Sequence, residues 1–240
     1  MTIVAKRMSL FTAKARQVNC QRLIVVRFVK QTPNMTKDLT TDLPASEINK
    51  RVFNLLESYD VDKIADQLVK LSPAHLHNEV KNGRGDNLYY KWLACLIRLL
   101  KPAQVVELGA AAGISTIMIA SELSKDSIFY SVDNDPTIAW KWITKDYPQL
   151  VKILGDDLDL SVWPKDAELQ ATDIWFVDTL HTKEQLTEEI KLYSPFWKKG
   201  AIIIFDDIKM PELRPIWEAL PYDKCEDDRL HYSGFGFVKI

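Results

Sequence analysis

The sequence has few of the residues that staple or clip small domains. Its three cysteines, Cys20, Cys95 and Cys225, lie far apart in 240 residues, with no CxxC pair. That argues against a disulfide framework and a structural zinc site, and it predicts a reducing, cytoplasmic setting. No uninterrupted apolar run approaches the ~20 residues that span a bilayer. No signal-peptide h-region follows Met1, so a soluble chain is expected. The net charge is −2, which lacks the overall positive field of a nucleic-acid binder.

Acidic residues are missing from one stretch altogether. Residues 1–37 hold eight Lys and Arg and no Asp or Glu. Such a segment reads as a basic extension: an organelle-targeting peptide, a membrane-surface arm or a contact for an acidic partner. The composition becomes ordinary at Met35, where an alternative translation start is a further reading. A homo-oligomer built through this segment stays open. Residues 38–240 are expected to form one domain, with a helical lead-in over 38–103 and a sheet core over 104–240.

The 47% hydrophobic content is enough for a full core. Apolar residues recur at helical spacing after Pro44, with Ser46 as the expected N-cap, and again over about 61–71 and 87–100, the last capped by Asp86. The stretch between these two helices holds His75 and His77 and reads as a surface loop. After Pro102, short apolar runs alternate with helical patterns. The runs are QVVEL at 104–108, SIFYSV at 127–132, VKIL at 151–154, DIWFVD at 173–178 and AIIIF at 201–205. Helices are expected at about 114–123, 137–146, 182–193 and 211–219, with Pro136 and Pro211 in first turns. Residues 222–240 read as two closing strands. The pattern predicts an α/β fold: a doubly wound, Rossmann-like, mostly parallel sheet with an antiparallel C-terminal strand.

In such a sheet ligands bind beyond the carboxyl ends of the strands. The first strand ends in VVELGAAAGIST, where five small residues, Gly109 to Gly113, would connect strand to helix. Small residues let a ligand lie against the backbone, and glycine permits unusual dihedrals. Glu107 beside this loop suits a cationic group such as an amino acid's ammonium. Asp133, 20 residues after Gly113, suits the hydroxyls of a ribose. Amino acid plus ribose describes S-adenosylmethionine. Gly109-x-x-x-Gly113 alone also arises from tight helix–strand packing. A nicotinamide enzyme fits less well, because Ala111 and Ile114 break G-x-G-x-x-G. The pair Tyr59 and Lys63 matches Tyr-x-x-x-Lys but precedes the loop, in the wrong order.

ELGAAAG resembles the glycine-rich first motif of class I S-adenosylmethionine-dependent methyltransferases, and VDNDP resembles their acidic second-strand motif. The resemblance covers roughly residues 86–240. It implies that Glu107, Gly109, Ala111, Gly113 and Asp133 hold the cofactor and that Asp156, in GDD at 155–157, faces the adenine. Ala111 stands where many members have a middle glycine.

A second constellation joins FVDTLHTKE at 176–184 to FDDI at 205–208. Asp178, Asp206 and Asp207 end neighbouring strands, and three oxygen ligands suit Mg²⁺ or another divalent cation. Three clustered carboxylates would otherwise repel one another. The pattern resembles metal-dependent O-methyltransferases of the catechol and macrocin types, in which the corresponding acids bind the metal. Macrocin-type enzymes carry a second aspartate where this chain has Leu180, and His181 is the nearest replacement as a catalytic base. Without a metal, His181 would serve as base alone; as a mere helix-start residue it would only cap or pack. The expected activity is methyl transfer from S-adenosylmethionine to an oxygen of a small molecule or sugar. The alternatives are a non-catalytic metabolite-binding module, or a methyltransferase acting on protein or nucleic acid. The absence of an N-P-P-[YFW] motif argues against amino methylation of nucleic acid.

Overall fold

Four apolar runs become inner parallel strands because both faces of their sheet are covered, and VKIL pairs beside them as a more exposed edge strand. The computed structural model describes residues 43–60, 88–143 and 145–240. Strands β1 (Gln104–Leu108), β2 (Ile128–Asp133), β3 (Leu150–Leu154), β4 (Ile174–Val177), β5 (Ile202–Asp206), β6 (Asp223–Glu226) and β7 (Phe235–Lys239) form one sheet in the order β3-β2-β1-β4-β5-β7-β6. β7 runs antiparallel to both β5 and β6 and is the one reversed strand. This is the expected doubly wound α/β architecture.

Side chains alternate between two apolar layers. Val105, Phe129, Phe176 and Ile204 pack with α1 (Ala45–Leu56), α2 (Leu88–Leu100) and α3 (Ile114–Glu122). Val106, Tyr130, Trp175 and Phe205 pack on the other face with α4 (Lys183–Tyr193) and α5 (Arg214–Ala219). Burying one such aliphatic or phenyl side chain contributes roughly 1.5–3 kcal/mol. The central strands are therefore the rigid base on which the loops at their carboxyl ends stand. α2 buries Tyr89 and the whole run Lys91–Ile97. Its first turn is fixed by the Tyr89 N–H donating to the Leu230 carbonyl.

Three local expectations give way to tertiary contacts. In place of the helix expected at about 137–146, residues 136–142 form a series of turns. Trp140 adopts φ 53°. Its N–H donates to the Ala111 carbonyl at 2.8 Å, and that of Trp142 to the Ala112 carbonyl at 3.0 Å. These bonds replace the i→i−4 ladder and lay the segment against the small-residue loop. At the start of α1 the N-cap residue is Pro44, without a side-chain cap, not Ser46. Instead the carboxylate of Asp223 accepts from the Ala45 N–H at 2.7 Å. α5 begins at Arg214, so Pro211 lies in the turn before it and Pro215 takes the first-turn position. The expected basic extension, the helix at 61–71, the cap Asp86 and the loop with His75 and His77 lie outside the described residues. Among the described residues, no helix is long and apolar enough to cross a membrane.

Candidate active site

The small-residue loop is shaped by the protein's own backbone. Gly109 and Gly113 have φ +82° and +92°, and Ala111 between them has φ 41°. A Cβ on Gly109 would stand 1.8 Å from the Asp178 carbonyl oxygen, and one on Gly113 would meet Ile143 at 2.9 Å. The loop therefore threads between the end of β4 and the turns around Trp140. Asp133, last in β2, stitches it down. Its Oδ2 accepts from the N–H groups of Ala110 (3.0 Å) and Ala111 (2.7 Å), and its Oδ1 from that of Asp135. A carboxylate has about four acceptor positions, so Asp133 keeps room for a hydroxyl partner.

Glu107 is fully buried beneath the loop. Its Oε2 accepts from Thr116 at 2.7 Å and from Ser131 at 2.5 Å. Ser131 in turn accepts from the Trp140 indole at 2.8 Å. Glu107 Oε1 is buried with no hydrogen-bond partner. Burial, which disfavours the charged form, raises its pKa to about 7. Asp156 is exposed beyond β3, where its Oδ1 accepts from the Leu158 N–H at 3.0 Å.

The second constellation assembles at the ends of β4 and β5 and includes a residue that sequence reasoning missed. His181 Nδ1 lies 2.8 Å from Asp207 and its Nε2 3.3 Å from Asp178. His231 Nδ1 lies 2.7 Å from Asp206 and 3.6 Å from Asp207. Asp178, His181 and Asp207 form one group with ligand atoms within 4.8 Å of one another, and Asp206, Asp207 and His231 form another. Asp207 has φ 57°, a strained conformation that Asp tolerates better than most residues. The tyrosines of α2 close one side, with the Tyr89 ring 5.1 Å from that of His231.

Charge is balanced within this cluster. Hydrogen bonds to Asp178 and Asp207 raise the His181 pKa to about 10. Burial pulls His231 down, but Asp206 and Asp207 more than offset it and leave its pKa raised. Burial and the nearby Asp178 push Asp206 up to about 7. Burial also works on Asp207, yet its contacts with His181 and Ser233 hold it below the usual carboxylate range. Two histidines thus face the three carboxylates and offset their mutual repulsion. His231 precedes β7, and only the antiparallel β5–β7 pairing, with Asp206 opposite Phe235, carries it to this edge.

Residues 106–208 match the family model described as a methyltransferase domain. Over that stretch the chain is similar to a methyltransferase domain. The match spans the glycine loop, Asp133, Asp156, Asp178 and Asp207, and stops before His231. No curated protein matches the chain. Among solved structures it is similar to the O-methyltransferase TomG from Streptomyces achromogenes, involved in tomaymycin synthesis and solved in complex with SAM. The identity is 18% and the TM-score 0.58, covering 82% of this chain and 99% of that one. It is also similar to a methyltransferase from Geobacter sulfurreducens, with 16% identity and TM-score 0.54, covering 80% and 98%. Cofactor-bound Rv0187 from MTB gives 17% and 0.54, covering 88% and 99%. At these identities the likeness is one of fold.

Proposed function

We propose that this methyltransferase takes its methyl group from S-adenosylmethionine and delivers it to an oxygen of a small molecule or sugar. The observation that carries the reading is the contact between Gly109 and the Asp178 backbone. It sets the loop suited to the cofactor directly against an acid cluster suited to an acceptor hydroxyl. TomG, an O-methyltransferase solved with SAM, supports the same reading.

The loop fits the cofactor in three respects. Gly109, Ala111 and Gly113 supply a backbone surface with almost no side chain. Asp133 has acceptor capacity for a ribose, and Asp156, exposed beyond β3, is the partner expected for an adenine amine. Glu107 acts from below: closed to solvent and with a pKa of about 7, it is drawn to its ionised form by an ammonium bound above it.

The acid cluster offers a divalent cation two overlapping ligand groups, Asp178, His181 and Asp207 on one side and Asp206, Asp207 and His231 on the other, so the three carboxylates expected to act together are divided between two positions that share Asp207. Bound there, the cation would lower the pKa of an acceptor hydroxyl and hold it in place. As a lone base His181 is poorly suited, since both ring nitrogens already face carboxylates and neither is free for an acceptor hydroxyl. The metal-assisted reading is therefore the better of the two. Aligning nucleophile, methyl and sulfur supplies much of the remaining acceleration.

The test is transfer of labelled methyl from S-adenosylmethionine to a panel of phenols, catechols and sugars, with and without EDTA. Transfer that EDTA abolishes and Mg²⁺ restores is the expected result. Transfer indifferent to EDTA but lost in His181→Ala would favour the metal-free route. Label appearing only on protein or nucleic acid would overturn the small-molecule acceptor.

A further inference from the structure

A second pair of acids lies beneath the site, on the α4 side of the sheet, and neither strand-end constellation uses it. Glu189 and Asp157 are 2% and 8% exposed. Each adjoins a site loop: Asp157 follows Asp156, and Glu189 bonds Thr179, the residue after Asp178. The two carboxyl groups are brought together by one amide, Gln185, which hydrogen-bonds both. Thr179 Oγ1 donates to Glu189 Oε1 at 2.5 Å, and Gln185 Nε2 donates to the same oxygen at 2.8 Å. Gln185 Nε2 also reaches both Asp157 oxygens, at 3.3 and 3.2 Å. The Tyr193 hydroxyl donates to the Asp157 main-chain carbonyl and accepts from the Trp163 indole.

The donors on Glu189 all fall on Oε1, which leaves Oε2 buried without one. Two ionised carboxylates cannot share a buried contact at tolerable cost, whereas one proton between them turns the contact into a hydrogen bond. We propose that Asp157 and Glu189 share one proton and form a positioning clasp. The clasp fixes the loop bearing Asp156 against the loop bearing Asp178 and His181, and through them the cofactor against the acceptor. This rests on the proposed function above.

The electrostatics agree. Burial is the largest influence on both groups, raising Glu189 to about 8 and Asp157 above its ordinary value. The titratable groups facing Glu189 are Asp157 from the loop after β3, with Asp156 beside it, and Tyr193 on its own helix; Thr179 from the loop after β4 and Gln185 hydrogen-bond it. The charged groups among them are acids. The clasp is therefore closed near neutral pH and opens as pH rises through about 8.

The experiment measures S-adenosylhomocysteine affinity of the full chain by calorimetry at pH 6.5 and pH 9, for wild type, Glu189→Gln and Glu189→Ala. Apparent Kd scales inversely with the competent fraction, so one pH unit above the midpoint the wild type should bind about tenfold more weakly. Glu189→Gln, which keeps a donor toward Asp157 and an acceptor for Thr179, should bind like the wild type at pH 6.5 and stay flat to pH 9. Glu189→Ala should bind weakly at both; should it fail to fold, the glutamine variant still decides. A flat wild-type profile, or the same slope in Glu189→Gln, overturns the clasp. Absence of binding at every pH overturns the methyltransferase reading instead, and with it the positioning role. The shared proton is then judged by infrared spectroscopy at pH 7. A protonated-carboxyl band that Glu189→Gln removes supports it, and an unchanged spectrum refutes it.

Discussion

Gly109 and Asp178 meet backbone to backbone at the ends of β1 and β4, with no room for a single methyl group between them. The contact explains the first glycine of the loop without a ligand: the φ of +82° and the Asp178 carbonyl each exclude a side chain. It also makes the loop from Gly109 to Gly113 and the acid cluster neighbours through backbone.

Gly109→Ala should therefore cost stability before it costs chemistry. Overpacking against backbone plus a residue forced to positive φ amounts to about 2–4 kcal/mol. Urea unfolding of the purified variant checks this, and near-wild-type stability would mean that the two loops can part freely.

Asp133→Ala removes an acceptor from the N–H groups of Ala110, Ala111 and Asp135. Weakening of S-adenosylhomocysteine binding by about 1–3 kcal/mol is expected, the usual effect of stranding buried or ligand-facing polar groups. Calorimetry measures it directly.

The buried Glu107 sets a pH dependence with a definite sign. Its folded pKa of about 7 lies above the ordinary 4.5, so the native state holds the proton more tightly than the unfolded chain. Its contribution to stability is greatest below about pH 4.5 and falls as pH rises to about 7, by about 3 kcal/mol in all. Glu107→Gln should remove that fall. Urea unfolding at pH 5 and pH 8 should show the variant gaining on the wild type between them, and parallel losses would contradict the assignment.

Much of this was legible in the sequence. QVVEL, DIWFVD and AIIIF read as buried parallel strands because each is covered on both faces, and that coverage leaves a continuous apolar run. Glu107, Asp133, Asp178, Asp206 and Asp207 could be placed because each stands at or just past the end of such a run, or within its last turns. The segment around Trp140 was not legible, since the bonds that unmake its helix go to Ala111 and Ala112, about 30 residues earlier. His231 escaped for a related reason: it lies 25 residues beyond Asp206 and reaches the site only through the reversed strand β7. Thr116 and Ser131, which hold Glu107, read as ordinary helix and strand residues.

Asp206→Asn should separate the two halves of the site. Metal affinity should fall by at least about tenfold, since loss of even an outer hydrogen-bond partner of a metal ligand costs 10–100-fold. S-adenosylhomocysteine binding should stay within about twofold, because the residues proposed for the cofactor lie at the ends of β1, β2 and β3. Titration of Mn²⁺ followed by paramagnetic relaxation of water reads the first quantity, and calorimetry the second.

The central claim is that the loop from Gly109 to Gly113 is a site for S-adenosylmethionine. Calorimetric titration of the full-length protein with S-adenosylhomocysteine tests it most directly. The account predicts saturable one-to-one binding that Asp133→Ala weakens. A well-folded protein that takes up no S-adenosylhomocysteine would contradict it.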